Sequence, residues 1–193
     1  MTPLLAKVIS RLFDLYTWSV VINVLALTRT DLSRPQFIFL GLSLFLLEVI
    51  FPVALFIIFL KKKLITDIDL TQRRERPLYF SCLFLLAALG SLLGYVVGTR
   101  PFFLIQLVEL FLIGGMTLIT LFWKISGHMM INAAGIFFLN YFFGWQYWWL
   151  FFLLLPVGWS RWYLHKHDLW QLLAGALLGL SIPTAVFGVI GLF

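Results

Sequence analysis

Charge is scarce in this chain. Only 11% of its 193 residues are Asp, Glu, Lys or Arg, where a soluble domain usually carries about 25%. A water-exposed surface around an ordinary core is therefore excluded. Cysteine is nearly absent: Cys82 stands alone in an apolar run, so an intrachain disulfide is excluded and the redox compartment is not indicated. Acidic residues number eight, too few and too scattered for the dense aspartate motifs of carboxylate-based metal enzymes. Internal repeats, low-complexity linkers and composition breaks are missing as well, which predicts one domain over residues 1–193.

What is plentiful is apolar: 62% of residues, with 18% aromatic. Runs of spanning length lie near 36–60, 78–98, 102–123 and 169–193. Shorter ones lie near 129–144 and 146–159, and a weaker one near 15–29. A hydrocarbon core of about 30 Å needs about 20 helical residues, so the short runs must tilt or bend. The expected fold is all-α, a polytopic membrane bundle of six or seven transmembrane helices. The opening segment, with Lys7, Arg11 and Asp14, reads as an amphipathic or first helix rather than a removed signal peptide. Trp145, Tyr147, Trp148 and Trp149 read as an interfacial aromatic belt.

Threading the runs in alternation sorts the polar segments onto two sides. One side holds the N-terminus and the segments 61–77, 124–128 and 160–168, with eleven Lys and Arg; the other holds Arg29, Arg34 and Arg100. The positive-inside rule makes the first side cytoplasmic. The net charge of +6 then reflects topology, Lys61, Lys62 and Lys63 above all, and nucleic acid is not expected as a partner.

Three of those cytoplasmic segments carry groups suited to chemistry. The first ends in Arg76-Pro77. The second is Ser126-Gly127-His128. The third is Ser160-Arg161, followed after five residues by His167 and four further on by Gln171. In order, spacing and shared side these resemble the three motifs of the type 2 phosphatidic acid phosphatase superfamily: Lys-x6-Arg-Pro, Pro-Ser-Gly-His and Ser-Arg-x5-His-x3-Asp. The likeness lies within residues 61–180.

The resemblance implies an integral-membrane lipid phosphatase that acts through a phosphohistidine, without metal or cofactor. It makes His167 the nucleophile and His128 the general acid, then the base that activates water. Arg76 and Arg161 offer planar forks of donors to phosphate oxygens. Ser126, Gly127 and Ser160 complete the phosphate-binding set, with glycine admitting close backbone approach. Histidine suits both catalytic roles because it exchanges protons near working pH. The implied substrates are phosphatidic acid or an isoprenoid mono- or diphosphate, met in the bilayer. A prokaryotic plasma membrane is the expected location.

Three positions depart from the pattern. Asp69 stands where the family has a lysine; Lys124, or else Arg73 one turn before Arg76, is the replacement cation, with Lys124 preferred. Ile125 replaces a proline. Gln171 stands where an aspartate orients the nucleophilic ring; its carbonyl can accept the same hydrogen bond but adds no charge. Asp168 would point about 100° away from His167 on a helix, and is not assigned that place.

Plainer readings stand beside these. Either histidine alone is most simply an interfacial residue, and the arginines are simply anchors that snorkel. His165 and Lys166 read as solvated or headgroup contacts. Glu48 and Glu109, deep in apolar runs, are either functional or neutral acids bonded between helices. Gly175 and Gly179 form a G-x-x-x-G suited to close helix packing. Two other functions compete with the phosphatase. Asp67, Asp69 and Asp168 would serve a magnesium-dependent prenyl or CDP-alcohol transferase, and Asp69 and Gln171 suit a non-catalytic lipid-binding or assembly subunit of the same fold.

Overall fold

The computed structural model describes residues 2–13 and 15–189, with the side chains of residues 15 and 16 left aside. Asp14 and the last four residues of the run expected to reach 193 lie outside the described residues. The described chain is all-α. Five of its helical stretches are long and apolar enough to cross a membrane: Thr2–Arg29, Arg34–Lys61, Arg73–Val97, Arg100–Phe122 and Leu169–Val189. The chain divides into two compact units, residues 26–123 and a second formed by 1–25 with 124–193.

The 26–123 unit contains helices α3 (Arg34–Leu44), α4 (Phe51–Lys61), α5 (Arg76–Val97) and α6 (Arg100–Phe122). Between α3 and α4 the chain makes a π turn, Phe45–Ile50, in which Phe51 N–H bonds to the Leu46 carbonyl five residues back. The cause stands just after it. Pro52 has no N–H, and its ring crowds the carbonyl four residues earlier, which the wider turn accommodates. The run expected over 36–60 is thus one stretch with a bulge at Glu48. Glu48 is half-buried and Gln106 fully buried beside it: a Cβ on Gly90 would lie 3.0 Å from Gln106 Oε1 and 3.8 Å from Glu48 Oε1. Glu109, on the same helix as Gln106, is also buried. α5 and α6 form an antiparallel hairpin through Gly98-Thr99. Its turn is tied down where Thr99 Oγ1 donates to the Thr30 carbonyl (2.7 Å) and Gln36 Nε2 donates to the Val97 carbonyl (2.6 Å).

The other unit contains α1 (Thr2–Leu12), the first part of α2 (Leu15–Arg29), α7 (Gly127–Phe142), α8 (Leu154–Tyr163) and α9 (Leu169–Val189). α7 and α8 come from the two short apolar runs, separated by an exposed aromatic turn and a 3-10 segment, Trp148–Leu153. α7 is buried almost along its whole length, from Gly127 to Phe138 and again at Asn140.

α9 lies on α7 in parallel. Gly175 faces Ser126 and Met129, Gly179 faces Met130 and Ala133, and Phe187 meets Phe138 and Tyr141 edge to face. A Cβ on Gly175 would stand 2.4 Å from the Ser126 carbonyl oxygen, and one on Gly179 2.1 Å from that of Met130. Bare backbone at these two positions is what lets the helices touch. On another face of α7 the Trp18 ring covers Gly135, and its Nε1 donates to Asn132 Oδ1 at 2.6 Å. Met129, Val157 and Leu172 form a small core between α7, α8 and α9, packed by Ile9 and Phe13 from the N-terminal segment.

Candidate functional site

The parallel packing of α7 and α9 brings their N-termini to one place, and His128 and His167 sit at those ends. Ser126 is the N-cap of α7. Its hydroxyl accepts the Met129 N–H at 3.4 Å, Gly127 is the first helical residue, and His128 follows it in the first turn. Asp168 caps α9 through the Gln171 N–H at 2.9 Å, and His167 is the residue before that cap. Two bonds join the segments. Ser126 N–H donates to the Gln171 carbonyl (3.1 Å), and Lys124 Nζ donates to the Lys166 carbonyl (2.6 Å). Both histidines are buried, 7% and 6% exposed. The Asn132 amide donates to the carbonyls of His128 (2.7 Å) and Phe13 (2.9 Å), which pins the first turn of α7 from behind.

The third segment reaches His167 through a tight helix end. α8 stops in a Schellman arrangement: Lys166 N–H bonds to the Arg161 carbonyl (3.0 Å), His165 N–H bonds to the Trp162 carbonyl (2.9 Å), and His165 has φ 53°. That left-handed position usually belongs to glycine. Exposed His165 therefore has a backbone role, and the reversal it makes turns His167 inward. Arg161, 1% exposed, sits in the last turn of α8. One of its terminal nitrogens, Nη1, donates to Ser10 Oγ of α1 at 2.6 Å, which fixes the plane of the guanidinium. Ser160 is fully buried, and its hydroxyl donates to the Val157 carbonyl at 2.7 Å. Its single proton is used within α8, and what it presents elsewhere is an acceptor.

Gln171 is where the sequence places it relative to His167, with Oε1 3.0 Å from His167 Nδ1. Its Nε2 donates to Asp168 Oδ2 at 2.8 Å. Asp168, Gln171 and His167 thus form one chain of hydrogen bonds. Asp168 is the N-cap and lies outside the helix it starts, so the 100° step between successive helical residues does not govern its direction.

The first segment belongs to the 26–123 unit. Arg76 opens α5, is 3% exposed, and donates through Nε to the Leu70 carbonyl at 2.7 Å. The loop before it is self-supporting. Glu75 accepts from the N–H and hydroxyl of Thr66 (3.0 and 2.8 Å), while Asp67 accepts from the backbone of Asp69 and from Thr71. Arg73 is engaged at the far end of α6, donating to the carbonyls of Thr120 and Leu121. Such a cation satisfies helix-terminal carbonyls and complements the helix dipole. Of the two cations considered in place of Asp69, Lys124 is therefore the one bonded into the segments that carry the histidines.

Among the described residues, no three His, Cys, Asp or Glu side chains gather as a metal site. Asp67 and Asp168, two of the three acids on which a magnesium site would draw, are bonded to their own loop and helix cap. Sequence reasoning did not anticipate Ser10, 151 positions from its partner Arg161, or Asn132 behind His128; neither has a local signature. Asp168 does have one, the acidic cap followed three residues later by glutamine. No protein-family model matches the chain, and no significant match is found among curated proteins or among solved structures.

Proposed function

We propose that the protein is a metal-independent lipid phosphatase of the type 2 phosphatidic acid phosphatase kind. In this reading it crosses the membrane six or seven times, and its reacting face is turned to the cytoplasm. The observation that carries the reading is the joining of the second and third segments. Two buried histidines stand at the convergent N-termini of parallel helices, bound together through Ser126 and Gln171. Helix N-termini present N–H groups and partial positive charge, a natural seat for a phosphate. Arg161 stands in the same unit, and Lys124 on the same pair of segments.

His167 Nδ1 is engaged by Gln171, so Nε2 is the attacking nitrogen. It bonds to phosphorus as the bond to the lipid oxygen breaks, and His128 gives that oxygen its proton. The lipid alcohol, or the monophosphate of a diphosphate substrate, leaves. His128, now neutral, takes a proton from water; the hydroxide attacks phosphorus, the P–N bond breaks, and inorganic phosphate is released. Arg161, Lys124 and the Ser126–Gly127 turn hold the phosphate oxygens, where charge accumulates on the path to the transition state. The bilayer delivers the substrate tail.

The test is phosphate release from phosphatidic acid and from farnesyl diphosphate by detergent-purified protein in EDTA, beside His167→Ala. The expected result is release by the parent and none by the variant. Release that EDTA abolishes would replace this reading with the metal-dependent transferase class. Folded protein with no release from either lipid would favour a non-catalytic subunit.

A further inference from the structure

The phosphatase reading leaves Asp168 with nothing to do beyond capping α9, although its second carboxylate oxygen is engaged in the chain of bonds that ends on the proposed nucleophile. We propose that Asp168 is a positioning residue, which orients the Gln171 amide and through it sets the tautomer of His167. The proposal rests on the phosphatase reading and deepens it.

Which groups can donate decides how Gln171 is turned. An ionised carboxylate only accepts hydrogen bonds, and a primary amide has one accepting and one donating end. Asp168 Oδ1 takes the backbone N–H of Gln171 at 2.9 Å, and Oδ2 takes the side-chain amide at 2.8 Å. Only the NH2 end of Gln171 can face Oδ2. The carbonyl end is then turned to His167, where it lies 3.0 Å from Nδ1. A carbonyl cannot donate, so Nδ1 must carry the ring proton, and the nucleophilic lone pair belongs to Nε2.

Remove the constraint and Gln171 can present either end. With NH2 toward Nδ1, the ring proton moves to Nε2 and the nucleophile is lost. An aspartate directly on the ring would impose the same tautomer by charge. Here the charge stands one amide away, at the exposed Asp168, where it avoids the cost of burying a carboxylate beside a buried imidazole. Gln171 alone is ambivalent, and the pair is not.

The geometry allows the capping role to be separated from the positioning role. Asp168→Asn keeps an oxygen for the Gln171 N–H, since asparagine is as good an N-cap as aspartate. It replaces Oδ2 with a donor. Gln171 must then turn its carbonyl to Asn and its NH2 to His167. In Asp168→Asn with Gln171→Glu, the new carboxylate accepts from both neighbours, which restores the original demand on Nδ1.

The experiment is ¹⁵N NMR of ring-labelled histidines in the resting, detergent-solubilised protein. The signals of His167 among the three histidines are assigned by difference with His167→Asn. The expected result is the Nδ1–H tautomer in the parent, the Nε2–H tautomer in Asp168→Asn, and return to Nδ1–H in the double variant. Turnover should fall by on the order of 10²–10⁴ in Asp168→Asn, the scale of a wrong-tautomer histidine, with KM little changed, and should recover in the double variant.

Asp168→Ser keeps a helix cap with one oxygen and is the parallel test; it should show both tautomers. A His167 that stays Nδ1–H in Asp168→Asn or Asp168→Ser overturns the proposal. Because the tautomer is read without substrate, a parent that releases no phosphate overturns the phosphatase reading alone. An unchanged tautomer beside normal release overturns only the role of Asp168.

Discussion

Gly175→Ala tests whether the contact of α9 on α7 sets the geometry of the site. The added Cβ would lie 2.4 Å from the Ser126 carbonyl oxygen and 3.1 Å from Met129 Cβ, where ordinary contact begins at 3.4 Å. The first obstacle is backbone, not a side chain that can swing aside, so the helix starts must part by about 1 Å, at a cost of roughly 1–3 kcal/mol for overpacking. That movement takes the Ser126–Gln171 bond from 3.1 Å to about 4 Å, beyond any hydrogen bond. It also displaces His128 from His167, and a misplacement of about 1 Å in a reacting constellation costs on the order of 10²-fold in rate. The assay pairs thermal unfolding in detergent with phosphate release. Gly158→Ala is the control: it is a buried glycine of α8 whose Cβ would meet nothing nearer than 3.6 Å, so stability should hold or rise by about 0.5–1 kcal/mol. If Gly175→Ala matched the parent in both stability and rate, the claim that this contact sets the site would fail.

Two further outcomes follow from the third segment. His165→Gly relieves a left-handed residue at the end of α8 and should raise stability by about 1 kcal/mol with unchanged phosphate release; a loss of release would give the His165 ring a role in the reaction. Ser10→Ala removes one acceptor from the buried Arg161 guanidinium and should cost about 1 kcal/mol in unfolding measurements; an unchanged melting temperature would show that Ser10 does not hold the guanidinium.

The helices were legible because hydropathy acts residue by residue. Each of the five spanning stretches ends within a few residues of an apolar run, and only Thr2–Arg29 starts far ahead of its run, where Lys7, Arg11 and Asp14 dilute the signal. Close packing at Gly175 and Gly179 was legible too, since two glycines one turn apart in an apolar helix have few other uses. The π turn was not read, although Pro52 inside a long run was its cue. The end of α8 could not be read: a histidine in a glycine position carries no mark in the sequence, and only the paired carbonyl bonds of the turn reveal it. Asp168 stays off the His167 ring, where Gln171 stands, but its bonds to Gln171 were not read, because a 100° step per residue holds inside a helix and fails at its cap. Arg161 was singled out by its motif, but its partner Ser10 was hidden by distance along the chain.

α7 shows how the protein must be made. It carries Asn132, Asn140 and His128 on a helix of 16 residues that is buried almost throughout. Such a segment is a poor candidate to wait alone in lipid, where unshielded polar groups are costly. Trp18, which covers Gly135, is synthesised well before it. Gly175 and Gly179, which cover the opposite backbone, come about 50 residues after its start. The nascent chain therefore passes through a stage in which α7 is half dressed, and retention beside the insertion machinery until α9 emerges is the physical remedy. Synthesis halted between residues 142 and 169 would leave α7 held by Trp18 and Phe13 on one side and bare along the Ser126–Ala133 backbone that α9 covers in the finished protein.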